Sequence, residues 1–154
     1  MSNTSQQPKI FGVSDVDRKA IELLYRSFSE SADLLDEAVT EDWQDIPLAP
    51  GQEPGRDGMK PLIDAFREAF SDLQIIIHEM IGAPGRVAVR AEITGTHRGE
   101  WFGVAATGTS FRIPIHEFHY LENARVTHTW HLEDWLGWFF QVGAFPVGEK
   151  DAAQ

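Results

Sequence analysis

The sequence predicts an α+β domain in which N-terminal helices are followed by a curved, mostly antiparallel sheet wrapped around them. Three observations carry that reading. Two segments of the N-terminal half repeat apolar residues at spacings of three and four, the period of a helix with one buried face. From Asp72 onwards the period changes to two, as in half-buried strands. Helices therefore come first and a run of strands second, an order that belongs to α+β folds rather than alternating α/β ones. A twisted sheet curled around one long amphipathic helix leaves a conical cavity with an apolar floor.

Residues 1–12 read as a loose tail, 13–147 as a single domain and 148–154 as a second loose tail. Ser14 stands before the first helix, with Asp17 three positions on in a weaker form of the capping box. Val16, Ala20, Leu23, Leu24 and Phe28 form that helix's apolar stripe. Residues 32–39 read as a second short helix, and DWQDI, with Trp43 and Ile46, as a short strand. The following PLAPGQEPGRDG is too rich in turn formers for regular structure and is a candidate lid. Met59, Leu62, Ile63, Phe66 and Phe70 then mark the clearest helix in the chain.

Leu73, Ile75, Ile77 and Ile81 share one face of the next strand, and Val87, Val89, Ala91 and Ile93 one face of its successor. A glycine-rich segment, 98–108, carries Trp101 and Phe102. Phe111 to Gly143 reads as two long strands joined by a tight turn at Glu122–Arg125, running into a short terminal helix. Four of the six histidines lie in this hairpin with Glu117, Glu133 and Asp134, so titratable groups and apolar surface concentrate there as in a pocket wall.

Composition narrows the partners. The formal net charge of −11, with 13 Lys and Arg spread along the chain, offers no basic face for nucleic acid or an anionic membrane. No apolar run approaches the roughly 20 residues that span a bilayer, and the N-terminus has neither a basic start nor an apolar signal core. Cysteine is absent, which removes disulfides and thiolate chemistry. These features predict a cytoplasmic protein whose partner is a small, apolar organic ligand.

Strand parity predicts which polar groups face that ligand. His97 shares parity with Val87 to Ile93, and Glu117 and His119 with Phe111, Ile113 and Ile115. With a two-residue turn at Asn123–Ala124, strict alternation puts His128, Trp130 and Asp134 inside and His131 and Glu133 outside. One extra residue near Trp130 would reverse this and turn His131 inward. Glu117 is the strongest candidate on this wall, because a carboxylate in an apolar cavity is costly unless paired. No histidine spacing matches a recognised metal motif, and neither a phosphate-binding glycine loop nor a G-x-S-x-G elbow is present. No metal and no cofactor is expected.

The succession GTHRGEWFGVAATG, then a strand, a short turn and HTWHLEDWLGWFFQVG, resembles the SnoaL-like polyketide cyclases, also called ester cyclases. That group lies within the nuclear-transport-factor-2-like superfamily of α+β cones, and the likeness extends from about Ser14 to Pro146. The resemblance implies ring closure by intramolecular aldol condensation, without metal or cofactor, using an aspartate on the last strand beside a histidine on the preceding one. Here the family's histidine position falls on Glu117 and its aspartate position on His131, so the two residue types are exchanged. Asp134 matches a second aspartate, His97 a histidine of the family, and Asp45 lies near a position that contributes an amide.

The expectation is therefore an acid–base enzyme acting on a small, largely apolar carbonyl compound. Glu117, His131 and Asp134 are its candidate catalytic residues: His131 or Asp134 removes a proton and Glu117 orients or donates. His97, Trp43, Asp45, Trp101, Phe102, His119 and Trp130 are candidates for contact with substrate. The resemblance also implies a homodimer paired through the outer sheet face. A non-catalytic binding protein is the competing expectation, as is hydrolysis, dehydration or isomerisation on the same fold.

Overall fold

A computed structural model describes residues 7–145 as four α-helices and one six-stranded sheet. The expected tail at 148–154 lies outside the described residues. The expected N-terminal tail is corrected in part: Lys9–Phe11 forms strand β1, paired in parallel with β3 (Gln74–Ala83). The remaining elements are α1 (Asp15–Ser29), α2 (Leu35–Ala38), β2 (Val39–Ile46), α3 (Arg56–Ala69), β4 (Arg86–Thr96), β5 (Ser110–Glu122), β6 (Arg125–Glu133) and α4 (Trp135–Gln141). The sheet order is β1-β3-β4-β5-β6-β2, with antiparallel pairing from β3 to β6 and a parallel strand at each edge.

Local chemistry explains the helices. Ser14 caps α1 by accepting from the Asp17 amide at 3.2 Å. Arg18–Glu22 and Arg26–Glu30 support its solvent face at i, i+4 spacing. Its buried face is Ala20, Ile21, Leu24 and Tyr25, whereas Val16 is exposed. In place of a helix over 32–39, a single 3-10 turn leads into the four-residue α2, and β2 starts already at Val39. Met59, Ile63, Ala69 and Phe70 of the α3 segment pack onto the inner face of the sheet, opposite Val89, Ala91, Ile93, Ile113 and Ile115.

Two bulges reset the alternation. His78 is an extra residue in β3, since Ile77 pairs with Ala91 and Glu79 with Arg90. Beyond it Met80 is buried and Ile81 is 51% exposed, which corrects the expected inward face of that strand. Thr127 is the extra residue in β6, because Leu121 pairs with Val126 and Tyr120 with His128. Thr129, His131 and Glu133 consequently face inward, and His128, Trp130 and Leu132 outward. This is the reversal anticipated for a bulge near Trp130, displaced by three residues.

Candidate active site

The inner sheet face, α1, α3, the start of α4 and residues 49–52 enclose a cavity of about 320 Å³. That volume lies at the small end of ligand pockets, which run from about 300 to 1,000 Å³. One end is aromatic. Phe66, Trp101, Phe102 and Trp135 pack against one another with ring centroids 4.5 to 6.0 Å apart. The polar residues lining the rest are Tyr25, Asp45, Gln52, Glu117, Thr129, His131 and Glu133.

These polar groups form two hydrogen-bonded sets. In the first, the Tyr25 hydroxyl donates to Glu117 Oε2 at 2.6 Å and lies 3.0 Å from His119 Nε2. His119 Nδ1 is 2.9 Å from Thr129 Oγ1, which accepts from Trp43 Nε1 at 3.1 Å. A neutral His119 with its hydrogen on Nε2 satisfies every member: Trp43 donates to Thr129, Thr129 to His119, His119 to Tyr25, and Tyr25 to Glu117. Every donor thus points along the chain towards the Glu117 carboxylate. Burial alone opposes that charge, but His119, whose Nε2 also lies 3.3 Å from Glu117 Oε2, then the Tyr25 hydroxyl and the nearby His131 outweigh it and hold Glu117 below the usual carboxylate range. Burial, and then Glu117, push the Tyr25 phenol well above its ordinary value, so it stays a donor.

The second set is centred on His131. Its Nδ1 lies 2.8 Å from Glu133 Oε1, and its Nε2 lies 2.8 Å from the Pro47 carbonyl and 3.5 Å from Asp45 Oδ1. Both nitrogens therefore face atoms that only accept, an arrangement that suits the doubly protonated ring. Burial works against the imidazolium, but Glu133, Asp45 and the Pro47 carbonyl raise its pKa to about 9. Burial pushes the Asp45 carboxyl up to about 6, against the opposing pull of His131 and Gln52. Gln52, in the loop between β2 and α3, donates its amide to Asp45 Oδ2 at 3.0 Å.

Sequence expectations meet this geometry unevenly. Glu117, His131, Asp45, Trp43, Trp101 and Phe102 line the cavity. Glu117 and His131 face each other in register, but Glu117 bonds to Tyr25 and His131 to Glu133. His119 stands behind Glu117 and joins its network rather than the lining. His97 is buried with the expected parity, yet it packs between Phe70 and Trp138 with Nδ1 on Thr107, outside the lining. Asp134 is exposed and caps α4 by accepting from the Gly137 amide at 2.8 Å, because the bulge at Thr127 turns Glu133 inward in its place. For the same reason Trp130 lies on the outer face, stacked on His128.

Tyr25, Gln52 and Thr129 were not among the expected site residues, and Glu133, expected to face outward, is corrected to the inner wall by the bulge at Thr127. Tyr25 had a signal, since Ile21, Leu24, Tyr25 and Phe28 are spaced i, i+3, i+4, i+7. Among the described residues, no group of three or more His, Asp or Glu side chains is arranged to hold a metal ion. No described helix is long and apolar enough to cross a membrane.

The family model described as SnoaL-like polyketide cyclase matches residues 19–142. Among curated proteins no relative matches. Of the solved structures, TsrD from Streptomyces laurentii is similar at 20% identity and a TM-score of 0.78, over 86% of this chain and 98% of that one. A candidate polyketide cyclase from Bacillus cereus matches at 21% identity and a TM-score of 0.77, over 95% and 98%. IdmH, a candidate polyketide cyclase from Streptomyces antibioticus, matches at 22% and 0.71, over 82% and 98%. At such low identity these three likenesses establish the fold, an α+β cone, and no more.

Proposed function

The chain belongs to the SnoaL-like polyketide cyclase family, and from that premise we propose that it is a cofactor-free acid–base enzyme acting on a small, largely apolar carbonyl compound in this cavity. The observation that supports the reading is the pairing of Asp45 and His131 at 3.5 Å on the cavity wall. Asp45 is a carboxylate at neutral pH that still binds a proton near pH 6, and His131 is a fixed imidazolium beside it. Earlier expectation gave the proton to His131 or Asp134. A protonated His131 is no base, and Asp134 is spent on a helix cap, so the task passes to Asp45.

The step balances without a cofactor. Asp45 takes a proton from the carbon α to a carbonyl, the C–H electron pair becomes the C=C bond of the enolate, and the carbonyl π pair moves onto the oxygen. The His131 charge and the second amide hydrogen of Gln52 stabilise that oxyanion. The enolate carbon bonds to a second carbonyl carbon of the same molecule, and the new alkoxide recovers the proton from Asp45. Glu117 adds negative potential opposite His131 and favours the imidazolium.

Deuterium exchange at the α-carbons of 2-tetralone, followed by proton NMR in D₂O, tests the base without knowledge of the natural substrate. Asp45→Asn is expected to lose on the order of 10²-fold or more of the catalysed exchange while its melting curve stays cooperative. Exchange at full rate in that variant sinks the assignment. Background exchange in the wild type makes the protein a binding protein instead. We also propose pairing into a homodimer through the outer sheet face, supported by Phe118 and Leu132, which are 60% and 73% exposed there.

A further inference from the structure

We propose that the substrate of this cavity carries a protonated amine beside a flat apolar ring system, so that its class is an aryl amino-ketone rather than a neutral polyketide. The inference rests on the cavity being the substrate site and adds what kind of molecule enters it.

The polar wall is short of free hydrogen-bond donors. Among the described residues, its donors are already engaged: Tyr25 with Glu117, Thr129 with His119, and His131 with Glu133 and Pro47. Gln52 keeps one amide hydrogen after bonding to Asp45. Trp101, which also lines the cavity, keeps an unpartnered Nε1 hydrogen that is itself buried. The wall therefore offers carboxylate oxygens in excess, and a ligand that meets it must bring N–H or O–H groups of its own. A ligand bearing only acceptors meets like with like.

The charge of the lining is equally one-sided. Asp45, Glu117 and Glu133 line the cavity against the single imidazolium of His131, and no lysine or arginine is in the lining. Asp45 and Glu133 share His131, and Glu117 draws on Tyr25 and on His119 Nε2 at 3.3 Å, so the lining carries more carboxylate than countercharge in a small, mostly apolar enclosure, where charge interacts more strongly than in water. The raised pKa values of Asp45 and Tyr25 agree, since carboxylates contribute to both shifts after burial. An ammonium head relieves this potential, and a carboxylate head adds to it.

The far end is aromatic. Phe66, Trp101, Phe102 and Trp135 present ring edges and faces that suit an aromatic or other flat body, and they favour a cation nearby. An apolar ring at one end and a donor head at the other match the two ends of the cavity.

Binding of four small probes to the full chain at pH 7.5 separates these demands, read by tryptophan fluorescence and calorimetry. The probes are phenethylamine, 2-phenylethanol, acetophenone and phenylacetate. Phenethylamine should bind about tenfold or more tightly than 2-phenylethanol, with acetophenone weaker still and phenylacetate without detectable binding. Glu117→Gln should weaken phenethylamine about tenfold and leave 2-phenylethanol within about twofold; Asp45→Asn serves the same purpose should the first variant not fold. Acetophenone or phenylacetate binding as tightly as the amine overturns the inference and leaves the acid–base reading standing. Absence of binding by all four overturns both. An amine preference together with unchanged 2-tetralone exchange in Asp45→Asn overturns the acid–base reading alone.

Discussion

His131 is the residue on which the electrostatics of the site turn. Its two nitrogens face a carboxylate and a carbonyl, so the ring gains a proton on folding that a free histidine at pH 8 lacks. Its folded pKa of about 9 lies above the ordinary 6.5, and the stability it adds is full below about pH 6.5 and is lost as pH rises through about 9. With the side chain 19% exposed, the loss over that window is on the order of 2–3 kcal/mol. Asp45 also has a raised folded pKa, and its own loss of stability falls between about pH 3.8 and 6, below the His131 window. Urea unfolding from pH 6.5 to 9.5 should therefore show a decline that His131→Gln largely removes. A decline of equal size in that variant would place its cause elsewhere. Of the two titrating partners, His131 was legible only through the family resemblance, since strict alternation pointed it outward. Asp45 too came from the resemblance, and its place on the buried face of β2 follows from its alternation with Trp43.

At the scale of elements, single extra residues decide what the hairpin presents. Thr127 shifts β6 by one residue, so Glu133 replaces Asp134 in the cavity and Trp130 moves to the outer face. No composition signal marks that bulge, since threonine is an ordinary strand residue; the alternation before and after it is what changes. The two long helices and the strands β3 to β6 were readable because their periods run through whole elements, whereas a bulge is one residue long. The same shift fixes the role of Asp134, whose carboxylate receives the Gly137 amide and occupies the space a Cβ at that glycine would fill. Asp134→Ala should then cost about 1 kcal/mol through the lost cap and leave α-proton exchange at the wild-type rate. Loss of exchange with unchanged melting would return Asp134 to the chemistry.

At the scale of the whole molecule, one curved sheet has to satisfy two faces. The inner face is closed by α1 and α3, and its register was recoverable from alternating apolar residues on β4 and β5, but not beyond the bulges of β3 and β6. The outer face is divided. Towards β3 and β4 it carries charged pairs such as His78–Glu92–Arg112, and towards β5 and β6 it carries Phe118, Trp130 and Leu132. Two chains of net charge −11 repel one another, so any pairing across this face must draw on its apolar half and not on ion pairs. Burying side chains as exposed as Phe118 and Leu132 contributes about 1.5–3 kcal/mol each, and in a twofold pair each counts twice. The proposed dimer should then strengthen with added salt, which screens the repulsion and spares the apolar contact. Light scattering is expected to give twice the chain mass for the wild type, rising in occupancy from low to high salt, and the single-chain mass for Phe118→Glu combined with Leu132→Glu at unchanged circular dichroism. A wild type that stays at single-chain mass at every salt concentration refutes the pairing, and a dimer that survives the double substitution moves it to another surface.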